Sequence, residues 1–148
     1  MVISGICFIW SLAQAAKANH VRVEALMKYM LLIYFEENKL DEPEREACYV
    51  ESIQLAHQLK AKGQYLAASP LQPTALATSV RVRDGKRFVT DGPFAETREQ
   101  LGGYYLIEAQ NLDDAIAIAE QIPMARKGII EVRPLIEIPG LPSDEPSR

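Results

Sequence analysis

At 148 residues, with 48% hydrophobic and 24% charged side chains, the chain has globular composition and a length that suits one domain. Sixteen basic against twenty acidic residues give a formal charge of −4, so no basic surplus exists to neutralise phosphates and direct nucleic-acid binding is disfavoured. Two cysteines, Cys7 and Cys48, and two distant histidines, His20 and His57, make neither a disulfide framework nor a zinc-ligand spacing.

The opening stretch MVISGICFIWSLAQAA is apolar, with Ala13-Gln14-Ala15 resembling a signal cleavage site. No Lys or Arg precedes it, so the positive flank of a signal peptide is missing. It is also shorter than the roughly 20 apolar residues of a membrane span. Residues 1–26 are therefore expected to be an extension upstream of the domain, with Met27 as its natural start. Without Lys17, Arg22 and Glu24 the remainder holds 14 basic and 19 acidic residues, a charge of −5.

Lys28 to Phe35 (KYMLLIYF) is apolar at every second position and between, which predicts a strand covered on both faces. After a polar break, Pro43, Glu44 and Glu46 suit the start of a helix that stops at Gly63. Cys48, Tyr49, Ser52, Ile53, Leu55, Ala56 and Leu59 share its apolar stripe, with His57 towards the edge. Gln64 to Ala68 reads as a short strand. Ser79 to Arg83 alternates, with Val80 and Val82 facing one way, which predicts a half-buried strand. Asp84-Gly85 then signals a two-residue hairpin turn, and Lys86 to Thr90 returns. Gly102-Gly103 is expected to open a strand over Tyr104 to Glu108. Asn111, with Asp114 three residues on, caps a second helix whose stripe is Leu112, Ala115, Ile116, Ala119 and Ile122, ended by Pro123. Ile129 to Ile138 is the last strand. The Pro-bearing tail 139–148 is expected to be disordered.

The resulting order, β-α-β-β-β-β-α-β, predicts an α+β, ferredoxin-like sandwich over residues 27–138: a mainly antiparallel sheet with two helices on one face. Its other face has nothing in the chain to cover it. A second copy, sheet against sheet, is the simplest cover, so a homodimer is expected.

The segment Thr90 to Tyr105 (TDGPFAETREQLGGYY) is the densest in functional groups. Asp91 would sit on a tight turn and could act as a general acid or base. Gly92 and Pro93 would shape the turn, and Phe94 would offer an apolar wall. Tyr104 and Tyr105 could orient a substrate hydroxyl or carbonyl, and Arg81 or Arg133 could neutralise an acidic group. Ser52 would line the cavity as a small polar residue. The same pattern also fits turn chemistry alone: a capped turn, solvated charges and glycines that mark a bulge. No Walker loop, dinucleotide fingerprint or metal-binding helix occurs, so no cofactor or metal is expected.

Asp91-Gly92-Pro93-Phe94, followed by Ala95-Glu96-Thr97 and Glu99-Gln100-Leu101-Gly102-Gly103-Tyr104-Tyr105, resembles the DGPF motif of the YCII-related proteins. Met27 to Tyr34, Leu71-Gln72-Pro73, Val80 to Gly85 and Glu131-Val132-Arg133-Pro134 are similar to that family too, in one register from Met27 to Pro134. The resemblance implies a dimeric α+β barrel. In the wider group a His on the first helix and a nearby Asp are taken as an acid–base pair, and a dechlorinating member is known. Counting back from Gly63, the place of that His is held here by Ser52, so the pair does not carry over. Many DGPF proteins are linked to sigma-factor-like regulators. Two functions therefore follow as expectations. One is a cytoplasmic, homodimeric small-molecule-binding protein with scope for acid–base catalysis. The other is a regulatory module working with a sigma factor.

Overall fold

The computed structural model describes residues 25–142. The expected extension over 1–26 lies, but for its last two residues, outside the described residues, as do positions 143–148 of the expected tail. The elements are β1 (Met27–Phe35), α1 (Glu42–Ala61), β2 (Tyr65–Pro70), β3 (Thr78–Arg83), β4 (Lys86–Asp91), β5 (Gln100–Ala109), α2 (Leu112–Ala119) and β6 (Ile129–Pro134). Four strands form one antiparallel sheet in the order β2-β5-β1-β6, while among the described residues β3 and β4 pair only with each other. With two helices against a mainly antiparallel sheet, the fold is α+β.

Local chemistry sets the element ends. The Asp41 carboxylate accepts from the Glu44 N–H at 2.9 Å and starts α1, with Pro43 in its first turn. Gly63, at φ +70°, lets the chain leave the helix. Asn111 caps α2 by accepting from the Asp114 N–H at 2.9 Å. Asp84 and Gly85 both hold positive φ, at 49° and 72°, as a type I′ turn requires.

The core lies between the helices and one face of the sheet. Tyr29, Leu31 and Ile33 of β1 and Tyr105, Ile107 and Ala109 of β5 meet Cys48, Leu55 and Leu59 of α1 and Ala115, Ile118 and Ala119 of α2. The alternate residues Met30, Leu32, Tyr34, Tyr104 and Leu106 occupy the other face and are half-buried. β1 is thus fully covered on one face within the described chain, and the cover that its apolar run predicts on the other is not supplied by the described residues themselves.

Four further expectations are corrected. Gly102 and Gly103 lie inside β5, which begins at Gln100, rather than opening it. Gly102 is the extra residue where the β1–β5 register shifts between Ile33 and Tyr34. β6 ends at Pro134, where its register with β1 ends opposite Tyr29, and the Leu135 N–H adds one last bond to the Lys28 carbonyl at 2.9 Å. The stripe of α1 is split. Its Leu55 and Leu59 side packs on the sheet, but Tyr49 and Ile53 remain 44% and 57% exposed. Finally, Val80 and Val82 are 63% and 65% exposed, because the β3–β4 hairpin stands apart from the sheet that would have covered them.

Candidate functional site

An open cleft of about 940 Å³ lies between α1, the sheet and the loop after β2. Helical spacing of three to four residues brings Arg45, Cys48, Tyr49, Ser52, Ile53 and Ala56 to one wall. Phe35, Gly102 and Tyr105 contribute the sheet side, and Pro70 to Pro73 close one edge. The exposed half of the α1 stripe is therefore the helical wall of this cleft.

Two groups here have definite hydrogen-bond states. The Tyr105 hydroxyl donates to the Ser52 carbonyl at 3.0 Å, tying β5 to α1 across the floor of the cleft. Burial pushes the Tyr105 phenol above the ordinary tyrosine range, and the bond to Ser52 only partly offsets that. Burial likewise pushes the Cys48 thiol up, against the opposing pull of the Lys127 ammonium. Both groups are protonated at neutral pH, so neither is an activated nucleophile or base.

Arg45 is one of the charged groups of the cleft wall, with Glu37 and Lys60. Its Nη2 donates to the Leu40 carbonyl at 3.4 Å, and its Nε lies 4.0 Å from the Glu42 carboxylate. The Nε is buried and has no hydrogen-bond partner among the described residues. A donor left so is costly.

The sequence-predicted residues divide into three places. Ser52, Tyr104 and Tyr105 border the cleft. Asp91 ends the hairpin, exposed on β4 opposite Thr78, and Gly92, Pro93 and Phe94 follow it, all outside the cleft walls. Phe94 is 83% exposed, with the Arg81 guanidinium 6.0 Å from its ring centre. Arg133 is on β6 in register with Met30, which puts it on the face away from the helices, 3.7 Å from the Glu131 carboxylate. The structure thus brings Ser52 and Tyr105 together, leaves the Tyr104 side chain on the other face of the sheet, and does not bring Asp91 to them or to Arg133. Arg45 is the group that sequence reading passed over. Its signal was present: Arg45, Cys48, Ser52 and Ala56 share one helix face, but Arg45 sits in the acidic run Glu42–Glu46, which reads as a solvated end. Among the described residues no three His, Cys, Asp or Glu side chains gather as a metal-holding group, and no helix is long and apolar enough to cross a membrane.

Tyr105→Phe is expected to lower the unfolding free energy by about 1 kcal/mol, the usual net worth of one such hydrogen bond. The variant also changes the alkaline limb. The folded-state phenol ionises above the unfolded value of about 10, so its contribution is complete below pH 10 and is lost as pH rises beyond it. Urea unfolding from neutral pH into the alkaline range checks this: the wild-type decline above pH 10 is expected to be shallower in Tyr105→Phe.

The family model described as YCII-related domain matches residues 27–139. A protein of Rhizobium meliloti (strain 1021), whose name says only that it is uncharacterized, is similar as well. It is 48% identical over 67 residues, which cover 44% of this chain and 54% of that protein. The chain thus spans about half the length of that relative.

Proposed function

Because the chain belongs to the YCII-related family, we propose that it is a small-molecule-binding protein of the DGPF subgroup, whose ligand is a small organic acid held in the cleft between α1 and the sheet. The observation that carries this reading is the Arg45 guanidinium, a cation on the wall of a cleft whose other walls are largely apolar, held only by a 3.4 Å bond to the Leu40 carbonyl and by the Glu42 carboxylate 4.0 Å away. A carboxylate accepting from Arg45 would pair with a planar, always-charged donor, and the apolar body of the acid would rest on Phe35, Tyr49 and Ile53. Ser52 and the Tyr105 phenol set the depth of the site. The function is binding first, since the cysteine and the phenol on the floor stay protonated. The helix position that carries a histidine in some relatives is Ser52 here.

The same reading takes the chain as a ferredoxin-like half of a dimeric α+β barrel. Its support is the half-buried apolar set Met30, Leu32, Tyr34, Tyr104 and Leu106 on the face that α1 and α2 leave uncovered.

The test is a thermal-shift screen of small mono- and dicarboxylic acids. Acids that stabilise the wild type are expected to bind at least about tenfold more weakly to Arg45→Ala, the loss of roughly 1.4 kcal/mol, and to Ser52→Leu, which fills the cleft. Uncharged amides of the same acids should give no shift. Acids that stabilise the wild type and both variants equally would sink the reading.

A further inference from the structure

We propose that the β3–β4 hairpin is a cationic arm that docks on the body of a second copy of this chain. The arm rests on the dimer proposed above and adds a contact outside the paired sheet faces. Three observations carry it.

Among the described residues nothing covers the hairpin. Its strands pair with each other, and neither packs extensively on any other strand or helix. A lone two-stranded hairpin is marginal in water. Yet its residues are not those of a solvated loop. Val80, Val82 and Val89 on one face and Phe88 on the other are each more than half exposed, and Phe94 follows at 83%. Apolar groups of this size on both faces of one small element mark a surface that meets a partner.

The base of the arm is braced. The Glu37 carboxylate accepts from the Thr74 N–H at 2.9 Å and from its hydroxyl at 2.8 Å. The Gln100 side chain accepts from the Glu37 N–H at 3.1 Å. The Gly92 N–H donates to the Ala77 carbonyl at 2.7 Å, and the Ser79 hydroxyl donates to the Gly92 carbonyl at 2.9 Å. Such a bracket holds the arm at one angle, so little freedom is lost when it docks.

Charge selects the occupant. Thr78–Asp91 carries Arg81, Arg83, Lys86 and Arg87 against Asp84 and Asp91, a net of +2. The rest of the described chain holds nine cations and fifteen acids, a net of −6. Glu46, Asp113 and Glu120 are exposed on or beside its helices and form no salt bridge among the described residues. The body of a second copy therefore offers the charge that the arm lacks. Two-fold symmetry would make the contact twice, one arm on each body.

Photo-cross-linking tests the arm. A benzophenone analogue of phenylalanine replaces Phe88 in the full chain, whose mass in solution is followed by sedimentation. The expected result is a cross-linked band at twice the chain mass, with adducts on the acidic body of the second copy. The yield should fall about threefold or more between about 50 mM and about 500 mM NaCl as screening grows. It should fall similarly in the double variant Arg81→Glu/Arg83→Glu, whose exposed charges leave the body intact. A dimer by sedimentation without intermolecular adducts overturns the arm alone. A yield that ignores both salt and charge reversal overturns it too, as do adducts confined to the partner's hairpin. A monomer at micromolar concentration overturns both the arm and the sheet-to-sheet dimer.

Discussion

Leu31→Ala is expected to lower the unfolding free energy by about 3–5 kcal/mol, the cost of losing the buried atoms and leaving a void in a core that cannot fully collapse. Leu31 is completely buried at the centre of β1. It is flanked in register by Tyr105 of β5 and Val132 of β6, so three strands share the cavity that the substitution makes. Single domains are stable by only about 5–15 kcal/mol, so this change takes a large share of the total. At about 4 °C per kcal/mol, a melting point lower by about 12 °C or more is expected in calorimetry. The neighbouring substitution Leu32→Ala, on the half-buried face, should cost clearly less in the separated chain. Equal losses at the two positions would mean that the face assignment of β1 is wrong.

Gly128→Ala is expected to cost about 3 kcal/mol, at the upper end for overpacking. A Cβ there would lie 2.0 Å from the Tyr34 carbonyl oxygen and 3.0 Å from the Phe35 Cβ. The obstacle is backbone, so β1 or the turn before β6 has to move. Gly102 makes the instructive contrast. A Cβ there would meet the Phe35 ring, also at 2.0 Å, but a ring can turn aside where a carbonyl cannot. Gly102→Ala should therefore be the milder change in stability and the stronger one in ligand response, because Phe35 walls the cleft. Chemical unfolding of both variants, with the acid screen repeated on Gly102→Ala, checks the pair.

What the sequence reveals of this fold is local. The Asp84-Gly85 turn, the Asn111 cap and the Gly63 stop each depend on a few adjacent residues, and each is found as expected. The individual strands and helices follow from periodicity, which reports faces directly, but the split into a four-stranded sheet and a separate hairpin does not. Periodicity does not say what lies opposite a face. Val80 and Val82 alternate as residues of a half-buried strand do, whether or not anything in the same chain covers them. The wide stripe of α1 reads as one buried surface, although Leu55 packs on the sheet and Ile53 walls a cleft. Gly102-Gly103 carries the same ambiguity. A pair of glycines signals close approach, but whether it opens a strand or makes a bulge within one depends on Phe35, far away in sequence.

The candidate site was legible only in part, for the same reason. Its floor joins Ser52 to Tyr105 across 53 positions, and its cation comes from the first turn of α1. The conspicuous segment around Asp91 is rich in functional groups, yet the structure sets it with the hairpin rather than with the cleft. Density of functional groups along a chain is a weak guide where strand pairing decides which of them meet.

Acid binding in the cleft is tested most directly by a structure of the acid-bound protein. Crystals of the full chain, soaked with the carboxylic acid that gives the largest thermal shift, are predicted to show the acid between α1 and the sheet, its carboxylate within hydrogen-bond distance of the Arg45 guanidinium. An acid bound elsewhere, with the cleft empty and Arg45 untouched, would contradict it.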